Sequence, residues 1–410
     1  MTTSIAALTS AQVFDPDVYG NGDPATFGLP LDLFDRMRED EPCVKLELGH
    51  DLLVDEVWVV SRHEDIWAVD KDWETFAANR GLVNIWKFAP LDPVHKPAML
   101  VQDGEEHSAK RGLVSRGFRP APVAKLEEKF RRYAVEVVDA AVAKGSFDFI
   151  TEVAHTMPMQ ALGDVLGVPE EDRPQFFGWV DTFASPFDTR VTPSFEKVGE
   201  AIMGIYDYAL KLEDLRRREP GDDVMTQLAK ANLPPDEVQG NVALLASGAA
   251  ESTRSALGHG MHELMRNPEQ MAWIREHADD IPTTVAQEMV RIATPFTHLV
   301  RTATRDVELH GQTIEEGDKV AMLFASGNFD PDGIPDPRTF DLSRDPNEHL
   351  SFGRGPHSCL GKHVAALEIK ILLEELFQRT KDIRPAGDIS YVKDNYARGV
   401  YSLPVTVEAA

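Results

Sequence analysis

Phe352-Gly353-Arg354-Gly355-Pro356-His357-Ser358-Cys359-Leu360-Gly361 is a glycine-punctuated loop that delivers one of the chain's two thiols to the start of a helix. The run that follows, Lys362 to Gln378, is rich in strong helix formers. Leu367, Leu372, Leu373, Leu376 and Phe377 are spaced within it as core contacts. A thiol just ahead of a helix N-terminus meets unpaired N–H groups and the positive end of the helix dipole. Both favour the thiolate, the form of cysteine that binds metal. Gly353 and Gly355 remove Cβ atoms where backbone must lie close against something flat, and Gly361 does the same beyond the cysteine. A lone cysteine in a loop reads first as buried and inert; the spacing around this one argues otherwise.

That spacing, Phe-Gly-x-Gly-x-His-x-Cys-x-Gly, resembles the haem-binding signature of the cytochrome P450 superfamily at every fixed position. The resemblance implies that Cys359 is the metal ligand, the axial thiolate of a haem b (iron protoporphyrin IX), and that His357 lies near a haem propionate. Upstream, Asp103-Gly104-Glu105-Glu106-His107-Ser108-Ala109-Lys110-Arg111 opens a helix, with His107 and Arg111 four apart on one face. Alone, such a pair reads as a solvated surface couple. By resemblance both hold haem propionates, although the family often has proline where Gly104 stands.

Glu237 to Arg266 runs without proline as a long central helix whose middle is Ala246-Ser247-Gly248-Ala249-Ala250-Glu251-Ser252-Thr253. Small residues let a flat ligand approach the backbone, and a buried acid is costly unless it is paired or working. Two readings stand. Ser252 bonds its own helix carbonyl while Glu251 pairs with Arg254, or the acid and the alcohol act on protons. The second is the family's, whose oxygen-binding segment this resembles, with Glu251 and Ser252 as catalytic residues. Ala249 replaces the usual glycine and Ser252 the usual threonine. Glu288-Met289-Val290-Arg291 places acid and base at i, i+3. It precedes Ala293-Thr294-Pro295 and Arg301-Thr302 in the family's order, which implies a buried scaffold pair and makes Arg301 a propionate ligand. In the later Asp336-to-Arg344 segment, the arginine often found just before phenylalanine is displaced to Arg338.

The remaining chain agrees with an enzyme of this size. Hydrophobic residues at 42 % and charged residues at 27 % fit a water-exposed surface around a sizeable core. A net charge of −26 argues against nucleic acid as a partner. Two cysteines support no disulfide framework, so a cytoplasmic location is expected. No apolar run has the length of a membrane span, and Met1 to Ser10 does not read as a signal peptide. No linker or repeat divides the chain, so residues 1–410 are expected to form one domain. Gly81 to Pro97 and the aromatic-rich Asp172 to Phe187, with Pro295 to Val300, are expected to enclose an apolar pocket. Lys87, His95, His298 and Arg398 are available to anchor a single carboxylate.

The resemblance covers about residues 12 to 408. It implies a mainly α fold, the cytochrome P450 fold, a triangular helical prism with a small β-rich part and the haem between the central helix and the Cys359 loop. The implied activity is insertion of one oxygen atom from dioxygen into a C–H bond of a hydrophobic small molecule. Electrons would come from a ferredoxin and its NAD(P)H-dependent reductase. Ser115-Arg116-Gly117-Phe118 and Arg291-Ile292-Ala293-Thr294-Pro295 resemble bacterial members that hydroxylate sterols, terpenes and other lipids. Peroxide-driven oxidation and a non-turnover ligand sensor are the alternatives.

Overall fold

Long stretches with apolar residues three and four apart and no intervening proline make this a chain of helices. The computed structural model describes residues 10–49, 53–80, 84–86 and 97–410. Its principal helices are α1 (Leu31–Asp40), α2 (His63–Lys71), α3 (Gly104–Ser115), α4 (Glu127–Val142), α5 (Thr156–Leu166) and α6 (Arg173–Ala184). They continue with α7 (Phe195–Arg218), α8 (Pro235–Ala250), α9 (Ser252–Arg266), α10 (Thr283–Ala293) and α11 (Lys362–Arg379). Helix α11 packs along α4, α7 along α6 and α8, and α9 along α10. The buried apolar core runs from Phe34 and Met37 on α1 to Leu372 and Leu376 on α11.

A five-stranded sheet holds one flank. Its strands are β1 (Cys43–Glu47), β2 (Glu56–Val60), β3 (Phe76–Ala77), β4 (Leu299–Ala303) and β5 (Lys319–Met322), in spatial order β1-β2-β5-β4-β3. Only the β2–β5 pair is parallel; β4 runs antiparallel to β5 with Arg301 opposite Val320. Alternating valines and apolar partners bury both faces of β2 and β5, which fixes where β4 presents its side chains.

One helix departs from the sequence reading. The central helix is not continuous from 237 to 266, because α8 ends at Ala250 and α9 begins at Ser252. At the junction the Ser252 hydroxyl donates to the Gly248 carbonyl at 2.8 Å, a back-bond of the kind that bends helices. Helix α7 starts at Phe195, where Ser194 caps it by accepting from the Lys197 N–H.

The Glu288–Arg291 pair is fully buried, with Nε and a terminal nitrogen of Arg291 each 2.8 Å from the carboxylate. Arg344 is its third member, at 3.2 Å from Glu288. Arg338, the displaced arginine, instead pairs with Asp32 and Asp35 on α1. Among the described residues no helix is long and apolar enough to cross a membrane.

Candidate active site

The Cys359 loop faces the break between α8 and α9 across a cavity of about 440 Å³. Ser247, Gly248, Ala249 and Ser252 line one wall; Phe352, Gly353, His357 and Cys359 line the other. The Cys359 N–H donates to the Phe352 carbonyl at 2.6 Å and closes the loop. Gly355 has φ +63°, and a Cβ there would stand 3.2 Å from the Lys71 backbone, so glycine is required where the loop crosses the end of α2.

Burial raises the Cys359 thiol above its ordinary pKa. Hydrogen bonds from the Gly361 and Lys362 N–H groups and the charges of Arg111 and Lys362 oppose this without overcoming it. This corrects the expectation from the helix N-terminus alone. The dipole acts in the expected direction, but desolvation outweighs it, and deprotonation is left to accompany metal binding.

One edge of the cavity collects cationic groups. The His107 and His357 rings stack with centroids 4.1 Å apart, and His357 Nε2 lies 3.0 Å from an Asp103 oxygen. The other Asp103 oxygen accepts from the Ala78 and Asn79 N–H groups, which pins the acid that orients His357. Burial, helped by the neighbouring His357 and Arg111, depresses the His107 pKa to about 4. Arg111 donates to the Ser358 carbonyl beside the cysteine. Arg301, projecting from β4, is buried and donates to Asp70 at 3.1 Å; Asp70, not Arg301, reaches the cavity wall. A flat group with a metal at its centre and carboxylates at one edge fits these donors. A cysteine stands on one wall, a Cβ built on Gly248 meets nothing within 4 Å on the other, and bases gather at the rim.

On the opposite wall Glu251 is buried and ion-pairs with Arg254, one turn along α9. Arg254 continues to His155 Nδ1 at 3.1 Å and to Asp181 on α6 at 3.5 Å. One Glu251 oxygen, Oε1, has no hydrogen-bond partner among the described residues. The geometry is therefore that of the helix-internal reading at both positions, with both residues still on the cavity wall.

Of the Gly81–Pro97 interval, only residues 84–86 and 97 are described; Asn84 and Trp86 line the cavity, and Lys87 and His95 lie outside the described residues. From 172–187, Phe183 and Ala184 reach it, while Phe176 is packed against Tyr208 in the core. His298 does not reach the cavity; its ring lies between Phe14 and Tyr396. Arg398 is turned away too, donating to the carbonyls of Phe27, Ile292 and Ala293. Neither anchors a carboxylate in the cavity.

Asp70 and Glu368 belong to the site although sequence reasoning passed over them. Glu368, on α11, lines the cavity and bonds Thr253, and burial pushes its pKa up to about 8. Its only signal in the sequence was an acid nine residues past the cysteine, on a helix otherwise apolar there.

A half-buried thiol on a glycine loop, set across a cleft from a broken helix, is the arrangement that a haem-thiolate protein requires. The sequence profile described as Cytochrome P450 matches residues 115–381. The steroid C26-monooxygenase of Rhodococcus jostii is 34 % identical over 97 % of this chain and 84 % of its own. The methyl-branched lipid omega-hydroxylase of Mycobacterium bovis is 30 % identical over 85 % of this chain and 83 % of its own. Among solved structures, the Mycobacterium marinum cytochrome P450 CYP268A2, in complex with pseudoionone, superposes with a TM-score of 0.87 at 32 % identity, covering 95 % of this chain and 98 % of that one. The chain belongs to the cytochrome P450 family. It is a monooxygenase with that family's mainly helical fold and small β part, and the family implies a haem cofactor.

Proposed function

We propose that this chain, working in the cytoplasm as one domain over residues 1–410, uses haem b to place one oxygen atom of dioxygen on a C–H bond of a hydrophobic molecule. A steroid, a terpenoid or another lipid is the substrate class this reading favours. The observation that carries it is the cleft with Cys359 on one wall, Gly248 and Ser252 on the other, and His107, Arg111 and His357 at one edge. In this reading Cys359 would hold the iron through its thiolate, His107, Arg111 and His357 would hold the propionates, and Arg301 would join them from behind Asp70. The haem, when bound, supplies the oxygen chemistry, and the chain supplies orientation, exclusion of water and protons. Glu251 and Ser252 hold and pass those protons.

Substrate class is argued from the walls. Leu162, Leu166, Phe183, Ile202, Leu244 and Phe296 make the space above the cleft apolar, and the described cationic lining residues all lie at the propionate edge. The printed activities of the relatives, on a steroid and on a methyl-branched lipid, support the same class. Arg116, Arg119 and Lys362 are exposed and suit local attraction of an acidic ferredoxin against the overall charge of −26. Lys110, by contrast, is occupied by Glu106 and Glu237.

The reduced carbon monoxide complex is expected to show the red-shifted Soret band of a thiolate ligand, and Cys359→His to lose it. A histidine-type spectrum in the parent would end the reading. Lipids or aromatics are expected to convert low-spin to high-spin ferric haem; a response to sugars or polyamines alone contradicts the substrate class. Reduction by ferredoxin is expected to slow with salt, and charge reversal at Arg116 or Lys362 to slow it without altering substrate binding. The peroxide-driven alternative draws on the Ser252 back-bond, which commits the hydroxyl's proton to a helix carbonyl. Product formed with peroxide but not with NADH and ferredoxin would favour it.

A further inference from the structure

Arg301 was expected to meet a propionate, and it already holds a carboxylate of the chain's own. Asp70 stands in the last turn of α2, 3 % exposed, on the cavity wall. One of its oxygens accepts from Arg301 at 3.1 Å, and the other accepts from the Arg354 N–H at 2.6 Å, in the loop that carries Cys359. A Cβ on Gly353 would lie 3.1 Å from that second oxygen, so the loop backbone passes directly over the acid. The groups that face this corner are Arg301, Arg111, His107 and His357, and the propionates they are read as holding would add two more negative charges.

We propose that Asp70 is a positioning residue that fixes a negative charge at the propionate edge of the haem site, and that this charge biases bound haem toward its ferric state. The inference rests on the haem reading given above. Two facts favour charge over mere anchoring. A backbone N–H needs only a neutral acceptor, which serine or asparagine supplies, so the loop contact alone does not require a carboxylate. Asp70 reaches the cavity wall while Arg301, its other partner, does not, so the carboxylate and not the cation is presented to a bound group. A charge left partly uncompensated away from water acts over a longer distance than one at the surface. Ferric haem carries one more positive charge than ferrous haem, so a nearby anion stabilises the oxidised state.

The test is a spectroelectrochemical titration of the haem-loaded protein and of Asp70→Asn, Asp70→Ser and Asp70→Glu. The carbon monoxide spectrum of each reports whether the cysteine loop is held. Both neutral variants are expected to keep the thiolate band and to shift the one-electron equilibrium toward ferrous by roughly tenfold, which is about 59 mV. Asp70→Glu, which keeps the charge, is expected to stay with the parent. Neutral variants whose potentials match the parent, or that fail to fold or to hold haem while Asp70→Glu does so, would show that Asp70 is only an anchor for the loop and overturn the proposal. A parent that binds no haem defeats the underlying reading instead, and is seen before any variant is made.

Discussion

Ser252 stands four residues after Gly248, and its hydroxyl donates to that residue's carbonyl rather than into the cavity. The proposed proton role therefore needs the hydroxyl to leave that carbonyl during turnover, and serine, without a second branch at Cβ, turns more freely than threonine. Positioned general acid–base help is typically worth ~10²–10⁴-fold. Ser252→Ala is expected to leave the substrate-induced spin shift intact and to send a larger share of NADH electrons to hydrogen peroxide; Glu251→Gln is expected to slow turnover. If Ser252→Ala couples as well as the parent, the back-bond is the hydroxyl's whole role. At this scale legibility depended on spacing. Cys359 and His357 were singled out by the glycine spacing of their loop, His107 and Arg111 only by the family resemblance, and all four line one cavity. Asp70 and Glu368 were not singled out, since a single acid within a helix reads as a solvated face until its neighbours in space are known.

Helix α10 is tied to the segment before the cysteine loop chiefly through Glu288 and Arg291, with Gln287 and Val290 adding bonds to His349 and Ser351. Beyond Arg291 and Arg344, the Glu288 carboxylate accepts from the Asp341 N–H at 2.9 Å and from Asn347 at 3.0 Å. Arg291 in turn donates to the carbonyls of Asn328, Pro337 and Thr339. Removing one charge from such a buried group leaves the others unpaired, at about 3–5 kcal/mol. Glu288→Gln is expected to lose stability on that scale in denaturant titrations with an unchanged slope, and a loss under about 1 kcal/mol would mean that the network tolerates a neutral partner. The Glu-x-x-Arg spacing predicted the pair but not its third member, because Arg344 arrives by tertiary folding and not by periodicity. Helix existence was legible wherever apolar periodicity was long, as in α7 and α11. The break at Glu251 was not, since no proline or paired glycine marks it. The strand Pro404–Ala409 and its partners Ser146–Asp148 and Thr380–Pro385 were passed over as well. Its pairing with Ser146–Asp148 joins segments more than two hundred residues apart, which local sequence does not reveal, whereas Thr380–Pro385 lies only twenty to thirty residues back.

Across the whole molecule, buried ionisable groups fall into two sets that act on stability in opposite directions. His298 and His349 are buried with pKa values pushed down to about 3 by desolvation, and burial drives His259 well below its ordinary range. Their folded pKa values lie below the unfolded value of about 6.5. The unfolded chain therefore binds more protons in that interval, and their contribution is present above pH ~6.5 and lost as pH falls toward 3. Glu368 and Asp394 are the reverse case, raised by burial to about 8 and about 7. Asp394 receives N–H bonds from Tyr396 and Ala397 on one oxygen, while its other oxygen has no partner among the described residues. Here the folded chain holds the extra proton, so their contribution is full below pH ~4 and lost as pH rises through 7 and 8. Between about pH 4 and 6.5 the three histidines, joined by His107, His155 and His262 with pKa values lowered by burial to about 4, outnumber the raised carboxyls, and stability is expected to climb with pH. From about 6.5 to 8 only the carboxyls titrate, and stability is expected to fall. Urea unfolding of the haem-loaded protein across pH 4.5 to 8.5 is thus expected to give a maximum near pH 6.5. Glu368→Gln is expected to flatten the alkaline side, and His298→Phe, which keeps a ring between Phe14 and Tyr396, the acid side. A stability that rises steadily through pH 8, unchanged in Glu368→Gln, would mean that Glu368 is ionised in the folded protein, with a cation or water that relieves its burial.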